Sequence, residues 1–326
     1  MLINGLFVVV GLVVLIWSAD RFIDGASATA RHFGMPALLV GMLIVGFGTS
    51  APELAVSALA SLGGNSGIAV GNAYGSNIAN IGLVLAITAL IYPLSVSSRI
   101  VRREIPWLLV ILLLSFAFFY DREINRIEAA AMFFGMFIIL IFSAYYGNED
   151  DALTQEITQE INEKESTSAQ QPLSKAILSL GIGLLLLLIS SHFLVKGAVA
   201  IAQFFGLSDL IIGLTIIAIG TSLPELASAI AAAKKNEPDI VLGNIIGSCL
   251  FNSMAVVGLA GMIKPMTVSP IFLQRDFVAC VVLTIMLWVF AFGIKGVAKI
   301  TRKEGGMLLA GYIGYSVYLL MTLQHP

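Results

Sequence analysis

Glu53 and Glu225 stand where a charge is hard to accommodate. Glu53 is the only charged residue between Pro36 and Ser61, and Glu225 lies in a similarly apolar stretch ending at Ala233. Inside a membrane such a carboxylate is costly unless it is paired, protonated or turned toward a polar cavity. No Lys or Arg lies at comparable depth in any apolar run, so a bound cation is the natural partner. A protonated glutamate bonded to a neighbouring helix would also serve, but it would have to arise twice. Gly48-Thr49-Ser50-Ala51-Pro52-Glu53-Leu54-Ala55 matches Gly220-Thr221-Ser222-Leu223-Pro224-Glu225-Leu226-Ala227 at seven of eight positions, under a shift of 172 residues. In both copies a proline precedes the glutamate. It has no N–H to donate, so it releases the carbonyl of Gly48 or Gly220 and distorts the turn around Thr49 or Thr221. A freed carbonyl is tolerated in a span only where it is re-satisfied or lines a cavity.

The same shift lays Gly71-Asn72 on Gly243-Asn244, Gly75-Ser76 on Gly247-Ser248 and Asn80 on Asn252. Asn72, Ser76 and Asn80 are spaced by four and form one helical stripe, copied by Asn244, Ser248 and Asn252. The glycines beside them have the small-xxx-small spacing that lets helix backbones approach closely. Together the motifs offer carboxylates from Glu53 and Glu225, and amide oxygens from Asn80 and Asn252. They add hydroxyls from Thr49, Ser50, Ser76, Thr221, Ser222 and Ser248, with nearby backbone carbonyls. All are hard oxygen donors, which Ca2+ takes in flexible cages of six to eight. Two negative charges neutralise one divalent ion or are shared among monovalent ions. No imidazole or thiolate cluster favours zinc or copper. His192, near the outer end of a span, reads as an interfacial residue, and Cys249 and Cys280 as buried packing residues.

These residues must be held by membrane helices. Hydrophobic residues make up 58% of the 326 positions and charged residues 12%, too few to cover a water-facing surface of this length. The apolar runs predict ten spans: 1–19, 36–61, 67–92, 105–120, 127–146, 176–195, 209–233, 240–263, 277–294 and 305–323. The first has no basic start and no small-residue cleavage pattern, so it reads as a span and not as a signal peptide. Five spans per half is an odd number, so the second half must cross in the opposite sense. The expected fold is all-α, with two inverted five-helix repeats at 1–146 and 175–326. An acidic cytoplasmic linker, 147–174, joins them, and the spacing of Leu153, Ile157 and Ile161 allows a short interfacial helix there. Inverted repeats of this kind are a signature of secondary transporters that bind near the midplane. Of the 18 Lys and Arg, 13 fall on the side opposite the termini and 5 on the terminal side. The expected location is the inner (cytoplasmic) membrane, with both termini outside the cytoplasm.

Other classes lack support. There is no basic patch with interleaved aromatics for nucleic acid, and no zinc-protease motif or nucleophile–base arrangement for an enzyme. Neither a cofactor nor an obligatory protein partner is indicated. A passive channel with a glutamate ring would need no inverted pair of half-sites.

Gly-Thr-Ser-x-Pro-Glu followed by Gly-Asn-x-x-Gly-Ser-x-x-x-Asn, in two copies, resembles the paired alpha repeats of the cation/calcium antiporter superfamily. Size and the short linker are similar to its prokaryotic sodium/calcium exchanger branch, including the YrbG-like inner-membrane proteins. The resemblance implies a Ca2+/Na+ antiporter with spans 2, 3, 7 and 8 around the ions and spans 1 and 6 sliding across them. It also implies that Glu53 and Glu225 bind Ca2+ with the carbonyls of Thr49 and Thr221. Ser50, Ser76, Ser222 and Ser248 would then help form Na+ sites, with Asn80 at the centre. Some exchangers carry an aspartate where this chain has Asn252, which bears on stoichiometry and K+ dependence. A buried glutamate can also carry a proton, so Ca2+/H+ exchange through the same site is the alternative.

Overall fold

The computed structural model describes residues 2–145, 172–206, 218–292 and 298–324. Its outer surface is apolar: Leu113, Ile127, Ile138, Ile141 and Leu178 are exposed, whereas Glu53, Asn77, Asn80, Glu225 and Asn252 are buried. This inverts the arrangement of a water-soluble domain and fits a solvent of lipid. Seven helices are long and apolar enough to cross a membrane, or eight if one bent pair is a single span, among the described residues. The chain is therefore a predominantly helical, polytopic membrane protein.

The first half contains α1 (Leu2–Phe33), α2 (Ala37–Val40), α3 (Phe47–Thr49), α4 (Ala51–Leu62), α5 (Ser66–Ala79), α6 (Ala86–Ile91), α7 (Ile105–Phe118) and α8 (Arg126–Tyr145). The second contains α9 (Leu173–Phe204), α10 (Ala218–Thr221), α11 (Leu223–Lys234), α12 (Pro238–Leu250), α13 (Val257–Ile263), α14 (Val278–Ala291) and α15 (Arg302–Gln324). Wide π-helical turns at Gly41–Gly46, Asn80–Leu85, Ile100–Glu104, Phe251–Val256 and Phe272–Phe277 splice several of these into longer rods. Such turns misalign the backbone ladder and cluster at functional positions. Four of the five fall in pairs under the 172-residue shift, to within one residue. The linker up to Gln171 with its interfacial-helix candidate, the beginning of the expected span 209–233, and His325 lie outside the described residues.

Two span boundaries differ from the hydropathy reading. The first helix runs on from residue 19 to Phe33, and the sixth from residue 195 to Phe204. Asp20 and Asp24, within α1, are met by lysines at the end of α11. Lys235 Nζ lies 2.8 Å from Asp24 Oδ1 and 2.7 Å from the Asp20 carbonyl. Both long helices finish at a glycine with positive φ, +61° at Gly34 and +79° at Gly206, a conformation that favours glycine and stops a helix.

Glycines bring α1 and α9 together along their length, antiparallel. A Cβ on Gly25 would lie 2.3 Å from the Leu180 nitrogen, and one on Gly183 would lie 2.5 Å from the Phe22 nitrogen. Gly11 faces Leu194 and Gly197 faces Phe7 and Val8 in the same manner. Shifting Gly11 and Phe22 by 172 gives Gly183 and Leu194, so each contact has a reciprocal counterpart with the halves exchanged. Short strands repeat the exchange. β1 (Leu94–Ser95) pairs antiparallel with β4 (Lys299–Ile300), and β2 (Glu123–Ile124) with β3 (Met266–Thr267). Every one of these contacts ties one half to the other.

Two composite rods occupy the centre. Pro238–Ile263 has its most apolar window wholly buried and Gly67–Ile91 has 78% of it buried, whereas the other five unbroken candidate spans reach at most 33%. These rods carry the two Asn/Ser stripes. The polar residues are thus on the helices furthest from lipid, which is where a membrane fold must put them.

Candidate cation site

The two glutamates arrive by the same local route. Pro52 and Pro224 occupy the start of α4 and α11, where a missing N–H is harmless, so each span breaks just before them. The break falls at Ser50 (φ −83°, ψ 4°) and Ser222 (φ −90°, ψ 6°). In the first half it bends the span by 46°. Glu53 and Glu225 therefore stand in the first turn of a new helix, whose N-terminal dipole favours a negative charge.

Both carboxyl groups are only 1% exposed, and neither has a hydrogen-bond partner or a basic neighbour among the described residues. The two sense each other's charge across the halves. The Thr49 and Ser50 hydroxyls of the first half border Glu225, and the Ser76 hydroxyl borders Glu53. Ser50, Ser222, Asn80 and Asn252 are likewise buried with their side-chain polar atoms unpartnered. Buried polar groups are almost always satisfied, so a concentration of orphaned oxygens beside two carboxylates is the donor set a cation would complete.

Other residues of the motifs are already engaged. Thr49 Oγ1 is 3.0 Å from the Val45 carbonyl, and the Ser248 hydroxyl donates to the Gly46 carbonyl at 3.3 Å. Thr221 and Ser76 line a cavity of about 880 Å3. The Asn80 and Asn252 turns pack crosswise, Asn80–Leu85 against α11 and Phe251–Val256 against α4. Each asparagine thus belongs to a turn that packs on the glutamate helix of the opposite half.

Asn72 and Asn244 have a part that their place on the stripe does not by itself disclose. The Asn72 amide donates to the Glu53 carbonyl at 3.2 Å and to Ser57 Oγ at 2.9 Å. Asn244 does the same for the Glu225 carbonyl at 3.4 Å and Ser228 Oγ at 3.3 Å. They brace the backbone that carries the carboxylates. The available signal was their recurrence at matching positions; the partner could not be read, because it lies on another helix.

A Cβ on Gly243 would lie 2.4 Å from the Leu38 carbonyl, and one on Gly247 would lie 2.6 Å from Met42 Cα. That glycine face is sealed by α2 and the turn after it. For the matching glycines of α5, the counterparts of Leu38 and Met42 are Leu210 and Leu214, outside the described residues; Gly71 and Gly75 border the cavity with Asn72, Ser76 and Thr221.

Among known sequences, the family described as "Sodium/calcium exchanger protein", one of transporters and not of catalysts, matches residues 3–145 and 175–321. The putative antiporter CaxA of Alkalimonas amylolytica is 44% identical over 99% of this chain and 100% of its own. Inner membrane protein YrbG of Escherichia coli K12 is 37% identical, covering 98% and 97%. Sodium/calcium exchanger MaX1 of Methanosarcina acetivorans is 30% identical, covering 97% and 98%. Among solved structures, the sodium-calcium exchanger NCX_Mj soaked with zero Na+ and Ca2+ superposes with a TM-score of 0.82 at 29% identity, over 98% of this chain and 99% of that one. With its duplicated glutamate motifs, its buried oxygen cluster and near full-length agreement in sequence and fold, this chain belongs to the sodium/calcium exchanger family.

Proposed function

We propose that this protein exchanges Ca2+ for Na+ across the membrane by alternating access, with the ions held between the halves at Glu53 and Glu225. The observation that carries the reading is the pair of fully buried, unpartnered carboxylates, together with the orphaned amide and hydroxyl oxygens of the same duplicated motifs. Two carboxylates balance one Ca2+. Asn80, Asn252, Ser50, Ser76, Ser222 and Ser248 supply neutral oxygens, and Thr49 and Thr221 contribute carbonyls at the breaks. With an amide at Asn252 the cluster holds two negative charges and not three.

Coupling follows from charge. An empty site leaves two carboxylates in a low-dielectric interior, which disfavours the passage between states until Ca2+ or Na+ neutralises them. Ten helices in two inverted repeats is the architecture this reading requires, and the reciprocal α1–α9 and strand contacts support it. In this reading both termini lie outside the cytoplasm, which the excess of Lys and Arg on the opposite side supports.

The test is Ca2+ uptake by proteoliposomes holding the purified protein, with an outward Na+ gradient imposed and then abolished. Uptake that needs the gradient and disappears in Glu53→Gln supports the reading. Normal uptake by that variant sinks the site. Uptake indifferent to Na+ but driven by a pH gradient moves the assignment to Ca2+/H+ exchange, with the site retained.

A further inference from the structure

The braces on the two glutamates stay within their own halves. Asn72 ties α5 to the turn of Glu53, and Asn244 ties α12 to the turn of Glu225. A third bond joins the two central rods to each other. The Asn77 amide donates to Ser253 Oγ at 2.7 Å, and both residues are fully buried. Asn77 stands directly after Ser76 and three residues before Asn80, and Ser253 directly follows Asn252. The three bonds make one frame. It runs from Glu53 through Asn72 into the first rod, across Asn77 and Ser253 into the second, and through Asn244 to Glu225.

The braces are duplicated, and the tie is not. α5 packs on the turn Phe251–Val256, and α12 packs on the turn Asn80–Leu85 in the reciprocal arrangement. Under the 172-residue shift Asn77 falls on Cys249 and Ser253 on Ile81. Both of those residues are buried, but an alkyl side chain accepts no hydrogen bond, so the reciprocal pair can only pack. The molecule thus fills one copy of the seam without the bond, and filling space does not explain the bond in the other. Deep in a low-dielectric core such a bond is stronger than in water, and it holds the rods at a fixed spacing.

Ca2+ and Na+ make different demands on that spacing. In the site read above, one Ca2+ is balanced by two carboxylates, Glu53 from one half and Glu225 from the other. It binds well only while the halves hold both at coordinating distance. A Na+ carries one charge, which a single carboxylate of one half balances. Drift between the rods therefore costs the divalent ion a ligand and leaves the monovalent ion its own. We infer that Asn77 is a positioning residue that sets the ion specificity of the site: through Ser253 it fixes the separation of the rods, and with it that of the carboxylates Ca2+ must bridge. The inference rests on the reading of Glu53 and Glu225 as a Ca2+/Na+ site.

Ser253→Ala and the double variant Asn77→Cys/Ser253→Ile, which copies the reciprocal pair, test it against wild type. Each is purified full length in lipid nanodiscs. The readouts are equilibrium binding of labelled Ca2+ and of labelled Na+, each ion alone, and Tm in the absence of both. Both variants should bind Ca2+ about tenfold more weakly, the worth of one buried hydrogen bond, and Na+ within about twofold of wild type. The double variant should melt closer to ion-free wild type than Ser253→Ala does, because it leaves no stranded amide in the seam, yet its Ca2+ affinity should stay low. Equal losses for the two ions would overturn the inference. So would a double variant with wild-type Ca2+ affinity, which would mean that the pair only packs. Failure of both variants to fold would make the bond a requirement of the fold alone and would overturn it too. Wild type that binds both ions, matched in each by Ser253→Ala, overturns this inference and leaves the site standing. Wild type that binds neither ion overturns the site and the inference together.

Discussion

The Asn72 side chain reaches from α5 to the backbone carbonyl of Glu53 at 3.2 Å, bracing the turn that carries the carboxylate. The interaction is made to the main chain, so it survives whichever ion the carboxylate holds. Asn72→Ala should leave the buried Glu53 carbonyl and Ser57 hydroxyl short of a donor, at about 1–3 kcal/mol. We expect a Ca2+ affinity lowered by about tenfold or more, and the same for Asn244→Ala, measured by Ca2+ titration of the purified variants.

Removing the ligand should destabilise the protein, because it leaves two buried carboxylates facing each other. At a Ca2+ concentration of about a hundred times Kd, mass action adds about 2.7 kcal/mol to the folded state. Wild type in detergent should therefore show a Tm that rises with Ca2+. Glu53→Gln/Glu225→Gln should melt higher than ion-free wild type and not respond to Ca2+. A Ca2+-dependent Tm in that double variant would refute the carboxylate cage.

A Cβ on Gly243 would drive into the Leu38 carbonyl at 2.4 Å. Gly243→Ala should therefore force α2 and α12 apart and shift the population toward a state in which they are separated. Labelling of single cysteines placed on either side of the site reads the shift.

The buried acid Glu104 should matter for stability. It neutralises Arg99 and Arg103 where the fourth span meets the fifth, and its loss strands positive charge away from water. Glu104→Ala should cost about 3–5 kcal/mol, visible as lost thermal stability in detergent. By contrast, Lys235→Ala breaks a half-exposed pair with Asp24 and should cost about 1 kcal/mol or less.

Much of this protein was legible in its residues. A glutamate in an apolar run, a proline before it and an Asn/Ser stripe on the next helix are local patterns whose physical cost demands a reason. Their recurrence 172 residues later told which positions correspond. The break at Ser50 and Ser222 follows from proline chemistry, and the burial of both stripes follows from the exclusion of polar groups from lipid.

Other features could come only from three dimensions. Hydropathy stopped α1 near Asp20 because it counts a charge without seeing Lys234 and Lys235 on another helix. Nothing nearby in the chain marked Gly25 or Gly183 as the points where two helix backbones touch. Above all, a duplicated sequence presents its two halves as equivalent, and so cannot say what each copy of a motif touches. Arg103 and Glu104 are joined to Arg99 and Ser143, whereas their counterparts Arg275 and Asp276 are held by Thr322 and Tyr315. The physical reason is that packing brings together residues far apart in the chain, so like motifs can meet unlike neighbours.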